Sequence, residues 1–215
     1  MACCNHCMDA QDFFNDKHAR RELKQYRKKG AITSTQKLID ALCRWTDNAS
    51  TLLDVGGGIG AIDHELLRQH LDKATLVEAS PAYLKLSREE AERQGHGDRL
   101  ESYEGDFVDM VSGLPVADLV TMDRVICCYP YMEQLVTAAA SRSRQICGVV
   151  YPRERWFIRA GMRLLNWYTR LRRKEFRVYV HPRKDIDATF RNNGFELHEA
   201  TTTLLWHIDI YAKAG

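Results

Sequence analysis

The residues best suited to chemistry are an acid and four glycines in the stretch Thr51 to Leu67, TLLDVGGGIGAIDHELL. Asp54 stands two residues before Gly56, Gly57 and Gly58, and Gly60 follows after Ile59. Glycine lets a backbone turn tightly and come within van der Waals contact of a ligand, which a Cβ would block. Two ligand classes use such a turn. Gly56, Gly58 and Ala61 fit the dinucleotide pattern G-x-G-x-x-G/A, whereas Asp54, Gly56, Gly58 and Gly60 fit D-x-G-x-G-x-G. The acid separates them. A pyrophosphate bound by helix N–H groups is repelled by a neighbouring carboxylate. A ligand carrying an amino group and a sulfonium centre is attracted by one. Asp54 therefore tips the turn towards S-adenosylmethionine.

Three other sets of reactive side chains stand out. Cys3, Cys4, His6 and Cys7 include one C-x-x-C, but a closed zinc site needs four ligands on a defined scaffold and no second C-x-x-C completes it. The stretch reads as a loosely ordered tail, with metal binding or redox chemistry as the alternatives. Cys127 and Cys128 read as small core hydrophobes or as thiols facing a substrate. His181 follows a short extended segment and precedes a helix start at Pro182, where a neutral imidazole could take a proton near physiological pH. Its plainer reading is a capping or packed histidine, and His64, beside the turn, is a poorer base.

The elements that would hold these groups alternate. Leu52, Leu53 and Val55 are an apolar strand running into the turn, and a helix pattern starts at Ile62. Further strands are expected at Ala74 to Glu78, Arg99 to Tyr103, Ala117 to Met122 and Gln145 to Tyr151. Helices are expected from Ser80-Pro81 to Gln94 and from Met132 to Ser141. Alternation of this kind is the pattern of a parallel sheet with crossover helices. Ahead of it lie helices over Asp12 to Lys29, stopped by Gly30, and over Thr33 to Trp45, capped by Thr33 or Ser34. After it, Glu175 to His181 reads as a short strand or extended segment and Pro182 to Asn193 as a helix. Phe195 to Ala200 and Thr202 to Tyr211 read as two closing strands.

Residues 153–174 depart from the alternation as a strongly amphipathic helix. Phe157, Gly161, Leu164, Leu165, Tyr168 and Leu171 make one stripe, opposite Arg155, Arg159, Asn166, Arg170 and Arg173. The bland reading packs that stripe on the domain. The sharper ones are a lid over an acidic or apolar substrate, which is favoured, or a peripheral membrane contact through Trp156 and Trp167.

DVGGGIG, followed by an acid closing the next strand (TLVEAS, Glu78) and then by GDF (Gly105 to Phe107), resembles the S-adenosylmethionine-dependent methyltransferases of the Rossmann-like class. The resemblance runs from about Leu38 to the C-terminus, and DRVICCYP (Asp123 to Pro130) is similar to a subset of small bacterial-type members. It implies a three-layer α/β fold, with a mainly parallel sheet and a C-terminal antiparallel hairpin. Residues 1–215 would form one domain, 1–45 being a helical extension and 153–174 an insertion after strand five. Gly56, Gly57, Gly58 and Gly60 would pass beneath the methionine part of the cofactor. Glu78, with Ala79 beside it, would accept hydrogen bonds from both ribose hydroxyls. Asp106 would take the adenine amino group and Phe107 flank the ring. Tyr26 and Arg27 would cover the cofactor and meet its carboxylate, or the basic end of their helix would simply complement its dipole. Asp123 would contact the cofactor's amino group. Arg124 would bind an anionic group of the substrate, or pair with Asp123 or Glu78, and Tyr129 would stack on the cofactor or orient the acceptor. The reaction implied is direct displacement, needing a base such as His181 only for a protonated acceptor. No metal is expected.

Composition narrows the class further. The chain has 215 residues, 45% hydrophobic and 28% charged, as in soluble globular proteins. A net charge of +2 makes no general case for nucleic acid, so the expected partner is a small-molecule substrate. No apolar run approaches the ~18 residues of a membrane span. The start, MACCNHCMDAQ, lacks the layout of a signal peptide, and an odd seven cysteines argue for a reducing cytoplasm. Two competitors remain: an NAD(P)-binding oxidoreductase, and a soft-metal or redox protein built on the cysteines.

Overall fold

In a computed structural model the described residues are 15–214, apart from 46, 48, 70, 173 and 175. Cys3, Cys4, Cys7, the expected helix start at Asp12, and Arg173 and Glu175 lie outside them. The elements are α1 (Asp16–Lys29), α2 (Thr33–Leu42), β1 (Thr51–Val55), α3 (Ala61–Gln69), β2 (Lys73–Glu78), α4 (Pro81–Gln94) and β3 (Leu100–Glu104). There follow α5 (Phe107–Met110), β4 (Ala117–Asp123), α6 (Met132–Ser141), β5 (Ser143–Pro152), α7 (Trp156–Leu171), α8 (Arg183–Asn192), β6 (Phe195–Thr202) and β7 (Trp206–Lys213).

The strands form one seven-stranded sheet in the order β3-β2-β1-β4-β5-β7-β6. β1 to β5 are mutually parallel, and β7 runs antiparallel to both β5 and β6. Burial explains the residue types. β4 is covered on both faces and is buried over six consecutive residues, Ala117 to Met122, so apolar residues stand on both of its faces, with Asp118 and Thr121 hydrogen-bonded among them. Edge strand β6 alternates, with Phe195 and Leu197 turned inward and Glu196 and His198 outward. One face of the sheet carries α2, α3 and α4, packed through Leu38, Leu42, Ile62, Leu66 and Leu84. The other carries α6 and α8 through Leu135, Val136, Ile186 and Phe190. A third, smaller cluster docks α1 on α4 and the glycine turn, through Leu23, Tyr26, Ile59 and Tyr83. β1 sends one connection to β2 and has β4 on its other side, so a crevice opens at the carboxyl ends of these strands.

Three local expectations change. Ile32, not Thr33 or Ser34, is the N-cap of α2 and makes no side-chain cap bond, and the helix stops at Leu42. Of the two readings for Glu175 to His181, a short strand or an extended segment, the strand drops out: residues 176–181 form none. Instead Asn166 of α7 clamps Val178, accepting from its N–H at 2.9 Å and donating to its carbonyl at 2.8 Å, and the Tyr179 N–H donates to the Cys127 carbonyl at 2.7 Å. That clamp also turns the packed face of α7 part-way round the helix, although Leu165 still faces inward and Arg155, Arg159 and Arg170 stay exposed as expected. Asn166 points inward, while Ile158 and Thr169 are buried, and Leu164, Tyr168 and Leu171, expected to pack, are exposed.

Candidate active site

The loop between β1 and α3 forms the floor of the crevice. Gly56 and Gly58 adopt φ of 63° and 60°, which only glycine reaches without strain. The Gly56 N–H donates to the Val77 carbonyl at 2.7 Å, which ties the turn to the end of β2. Gly57 is glycine for lack of space: a Cβ there would sit 2.2 Å from both Asp54 Oδ2 and Leu76 Cδ1.

Asp54 lies fully buried under this turn, with Oδ1 accepting from the Thr121 hydroxyl at 2.6 Å. Its Oδ2 and both oxygens of buried Asp63 meet no hydrogen-bond partner among the described residues. Burial drives both acids up, Asp63 to about 6, and Asp54 is pushed well above the carboxylate range by burial and by Asp63. Asp54 also fills the space below Gly57.

Glu78, at the end of β2, faces the crevice. Its Oε2 accepts from the Gly58 N–H at 3.0 Å and Oε1 from the Ser80 N–H at 2.7 Å. Burial raises its carboxyl and these backbone donors pull it back. After β3, Asp106 caps α5 by accepting from the Val108 N–H at 2.9 Å, and the Tyr129 hydroxyl lies 3.3 Å from both its oxygens. After β4, Asp123 accepts from the Thr35 hydroxyl at 2.5 Å. Arg124 adopts φ 63°, uncommon outside glycine, and its guanidinium lies between Asp123 at 3.3 Å and Glu22 of α1 at 3.6 Å. Glu22 also accepts from the Tyr83 hydroxyl at 2.9 Å, so α1 is held across the crevice mouth.

These groups share one cavity of about 660 Å³. It brings together Tyr26, Asp54, Gly56, Gly57, Gly58, Glu78, Ala79, Asp106, Phe107, Asp123, Arg124 and Tyr129, with Cys127 and Cys128. Three expected residues stand elsewhere. Gly60 is not on the lining, and Arg27 pairs with Glu90 of α4 at 2.7 Å. His181 borders a separate hollow with Tyr131 and Met132, its Nε2 3.0 Å from the Tyr129 carbonyl, and burial lowers its basicity.

Sequence reasoning anticipated two walls without their full set of residues. One is α1, expected over the cofactor through Tyr26 and Arg27, which also presents His18, Arg21, Glu22 and Gln25. Their i, i+3, i+4, i+7 spacing marks a single helix face and was a usable signal. The other is the apolar end formed by Met162 and Leu165 of α7 with Phe176, Val178 and Trp206, which depends on how α7 is clamped. Among the described residues no three His, Cys, Asp or Glu are placed to hold a metal, and Cys43, Cys127, Cys128 and Cys147 form no disulfide.

The sheet order, the turn at β1 and the acid ending β2 are the architecture of the Rossmann-like S-adenosylmethionine-dependent methyltransferases. Solved structures with this fold include magnesium protoporphyrin IX methyltransferase from Synechocystis PCC 6803 with bound SAH, at 16% identity and a TM-score of 0.74 over 95% of this chain and 98% of that one. Others are an O-methyltransferase family protein from Burkholderia thailandensis (15%, 0.69, covering 94% and 64%) and mitomycin 7-O-methyltransferase (20%, 0.64, covering 89% and 57%). No curated protein matches the sequence significantly. The profile of the methyltransferase-domain family matches residues 17–200, and the chain belongs to that family. It is an S-adenosylmethionine-dependent methyltransferase, and neither the oxidoreductase nor the soft-metal reading receives support. The cavity fits the cofactor: a turn with no room for a Cβ adjoins a strand-end carboxylate with lone pairs to spare.

Proposed function

We propose that the protein methylates a small acceptor with an apolar body by direct displacement. The observation that carries this is the continuity of one cavity from Glu78 and the glycine turn to the apolar end at Met162, Leu165, Phe176 and Val178. The similar enzymes named for magnesium protoporphyrin IX and mitomycin are consistent with a small, largely apolar acceptor. The bound cofactor supplies an activated methyl group on a sulfonium. The residues proposed to hold it are Tyr26, Asp54, Gly56 to Gly58, Glu78, Ala79, Asp106, Phe107 and Asp123, with Gly60 shaping the turn. Arg27 belongs with α1, whose ion pair to Glu90 fixes that helix over the site.

Displacement rewards alignment, so the wall that aims the acceptor matters most. Arg124 and Tyr129 border the region beyond the strand ends and are proposed to orient the acceptor. His181 acts through Tyr129, whose carbonyl it holds. The absence of a disulfide among Cys43, Cys127, Cys128 and Cys147 fits a reducing, cytoplasmic setting.

The test uses methyl-labelled S-adenosylmethionine, the purified protein and an organic extract of cells. Label should enter a solvent-extractable small molecule, and Leu165→Arg should abolish this without weakening S-adenosylhomocysteine binding. Label appearing only in added RNA or protein would refute the proposal.

A further inference from the structure

The outer face of α7 is more apolar than its packed face. Trp156, Leu164, Trp167 and Leu171 are 80%, 64%, 62% and 67% exposed. At 100° per residue they fall within an arc of about 80°, so they form a continuous stripe along the helix. Tyr168, 51% exposed, widens it. Along one flank run Arg159, Arg163 and Arg170, all exposed, and the sixteen-residue helix contains no acid. Only Arg159 meets a carboxylate, Glu154, at 3.0 Å, among the ion pairs of the described residues.

A second apolar point lies next to it. Leu204 and Leu205, at the turn between β6 and β7, are 67% and 44% exposed. That turn is fastened to the segment leading into α7: the Arg153 N–H donates to the Leu205 carbonyl and its guanidinium to the Thr203 carbonyl, both at 2.9 Å.

From this geometry we infer that the α7 face and the Leu204–Leu205 turn lie on an anionic lipid surface, with the tryptophan stripe in the interface and the arginine row against headgroup phosphates. Exposed tryptophans and leucines beside a row of arginines, on a helix too short to span, are the composition of an interfacial helix. Charge decides between occupants. A second copy docking through the same face would bring its own arginine row to this one, whereas an anionic bilayer neutralises it. A closing lid would bury the stripe, yet the residues that pack inward are Ile158, Met162, Leu165 and Thr169. Because Met162 and Leu165 line the cavity, the methyl-transfer reading adds that an apolar acceptor would enter from the bilayer side. The surface itself does not depend on that reading.

The test is flotation of the full chain, without cofactor, on vesicles of phosphatidylcholine alone and of equal parts phosphatidylcholine and phosphatidylglycerol. The protein should float with the anionic vesicles at low salt and be released as salt rises. Trp156→Glu with Leu164→Glu and Trp167→Glu should abolish flotation. Arg159→Glu with Arg163→Glu and Arg170→Glu should weaken it on the order of a hundredfold, at roughly fivefold per arginine. Both variants should bind S-adenosylhomocysteine as the wild type does, which shows that they fold. Wild-type protein left at the bottom of the gradient, equal binding to both vesicle types, or undiminished flotation of either variant would overturn the inference. So would a wild-type dimer that the tryptophan variant converts to monomer with no vesicle binding by either.

Discussion

Glu78→Ala is the substitution with the most calculable effect. The carboxylate is already oriented, each oxygen accepting one backbone N–H, from Gly58 at 3.0 Å and Ser80 at 2.7 Å. Each oxygen keeps a further lone pair for a ribose hydroxyl, and because the group is half-buried part of its desolvation is complete before ligand arrives. A hydrogen bond to a charged acceptor is worth about 1.5–3 kcal/mol, so two contribute about 3–6 kcal/mol. At 1.4 kcal/mol per decade, Glu78→Ala should raise the Kd for S-adenosylhomocysteine by about 10²–10⁴-fold. Glu78→Gln keeps one oxygen acceptor and loses the charge, so it should fall between the two. Titration calorimetry measures the affinities, and circular dichroism with urea unfolding separates lost binding from lost folding. A folded Glu78→Ala protein that binds within threefold of wild type would refute the assignment of this carboxylate to the ribose, and with it the placement of the cofactor in the cavity.

Other outcomes follow from the same geometry. Gly57→Ala drives a Cβ into Asp54 and Leu76 and should destabilise the fold by about 1–3 kcal/mol while weakening cofactor binding. Gly95→Ala, with φ 79° and nothing within 4 Å, should cost only about 1–2 kcal/mol and spare binding; thermal unfolding with and without ligand distinguishes them. Asp63 titrates near 6 when folded, above its usual 3.8, so its contribution is favourable at low pH and lost as pH rises through 6. His64 is lowered to about 4, first by burial and then by His96, so its contribution is present above 6.5 and lost as pH falls towards 4. The two oppose each other. Asp63→Asn should stabilise the protein by up to about 3 kcal/mol at pH 7, with the gain vanishing near pH 4, in urea unfolding at a series of pH values. His181→Gln should raise KM more than it lowers kcat and leave the pH–rate profile in place, because its ring holds the Tyr129 carbonyl outside the cavity. Loss of the basic limb of that profile would instead make His181 the proton acceptor.

Much of the binding floor could be read directly, because the chemistry there is backbone chemistry. A turn with φ near 60° at Gly56 and Gly58, and with no room at Gly57, demands glycine at those positions whatever the rest of the chain does. An acid at the end of an apolar run is placed at the end of a strand by the run itself, which is why Glu78 was legible. Periodicity likewise carried the order of strands and helices and the closing hairpin. Tertiary contacts decided the rest. Asp54 reads as a strand-end acid in the sequence, and only the fold shows it buried beside Asp63, which raises its carboxyl. His181 is next to the site along the chain, but the Tyr129 carbonyl turns it to another hollow. The face of α7 was only partly legible because a wheel ranks residues by polarity alone. Asn166 turned inward once the chain between Phe176 and Tyr179 offered both a donor and an acceptor at Val178, and the tryptophan stripe was thereby rotated out to solvent.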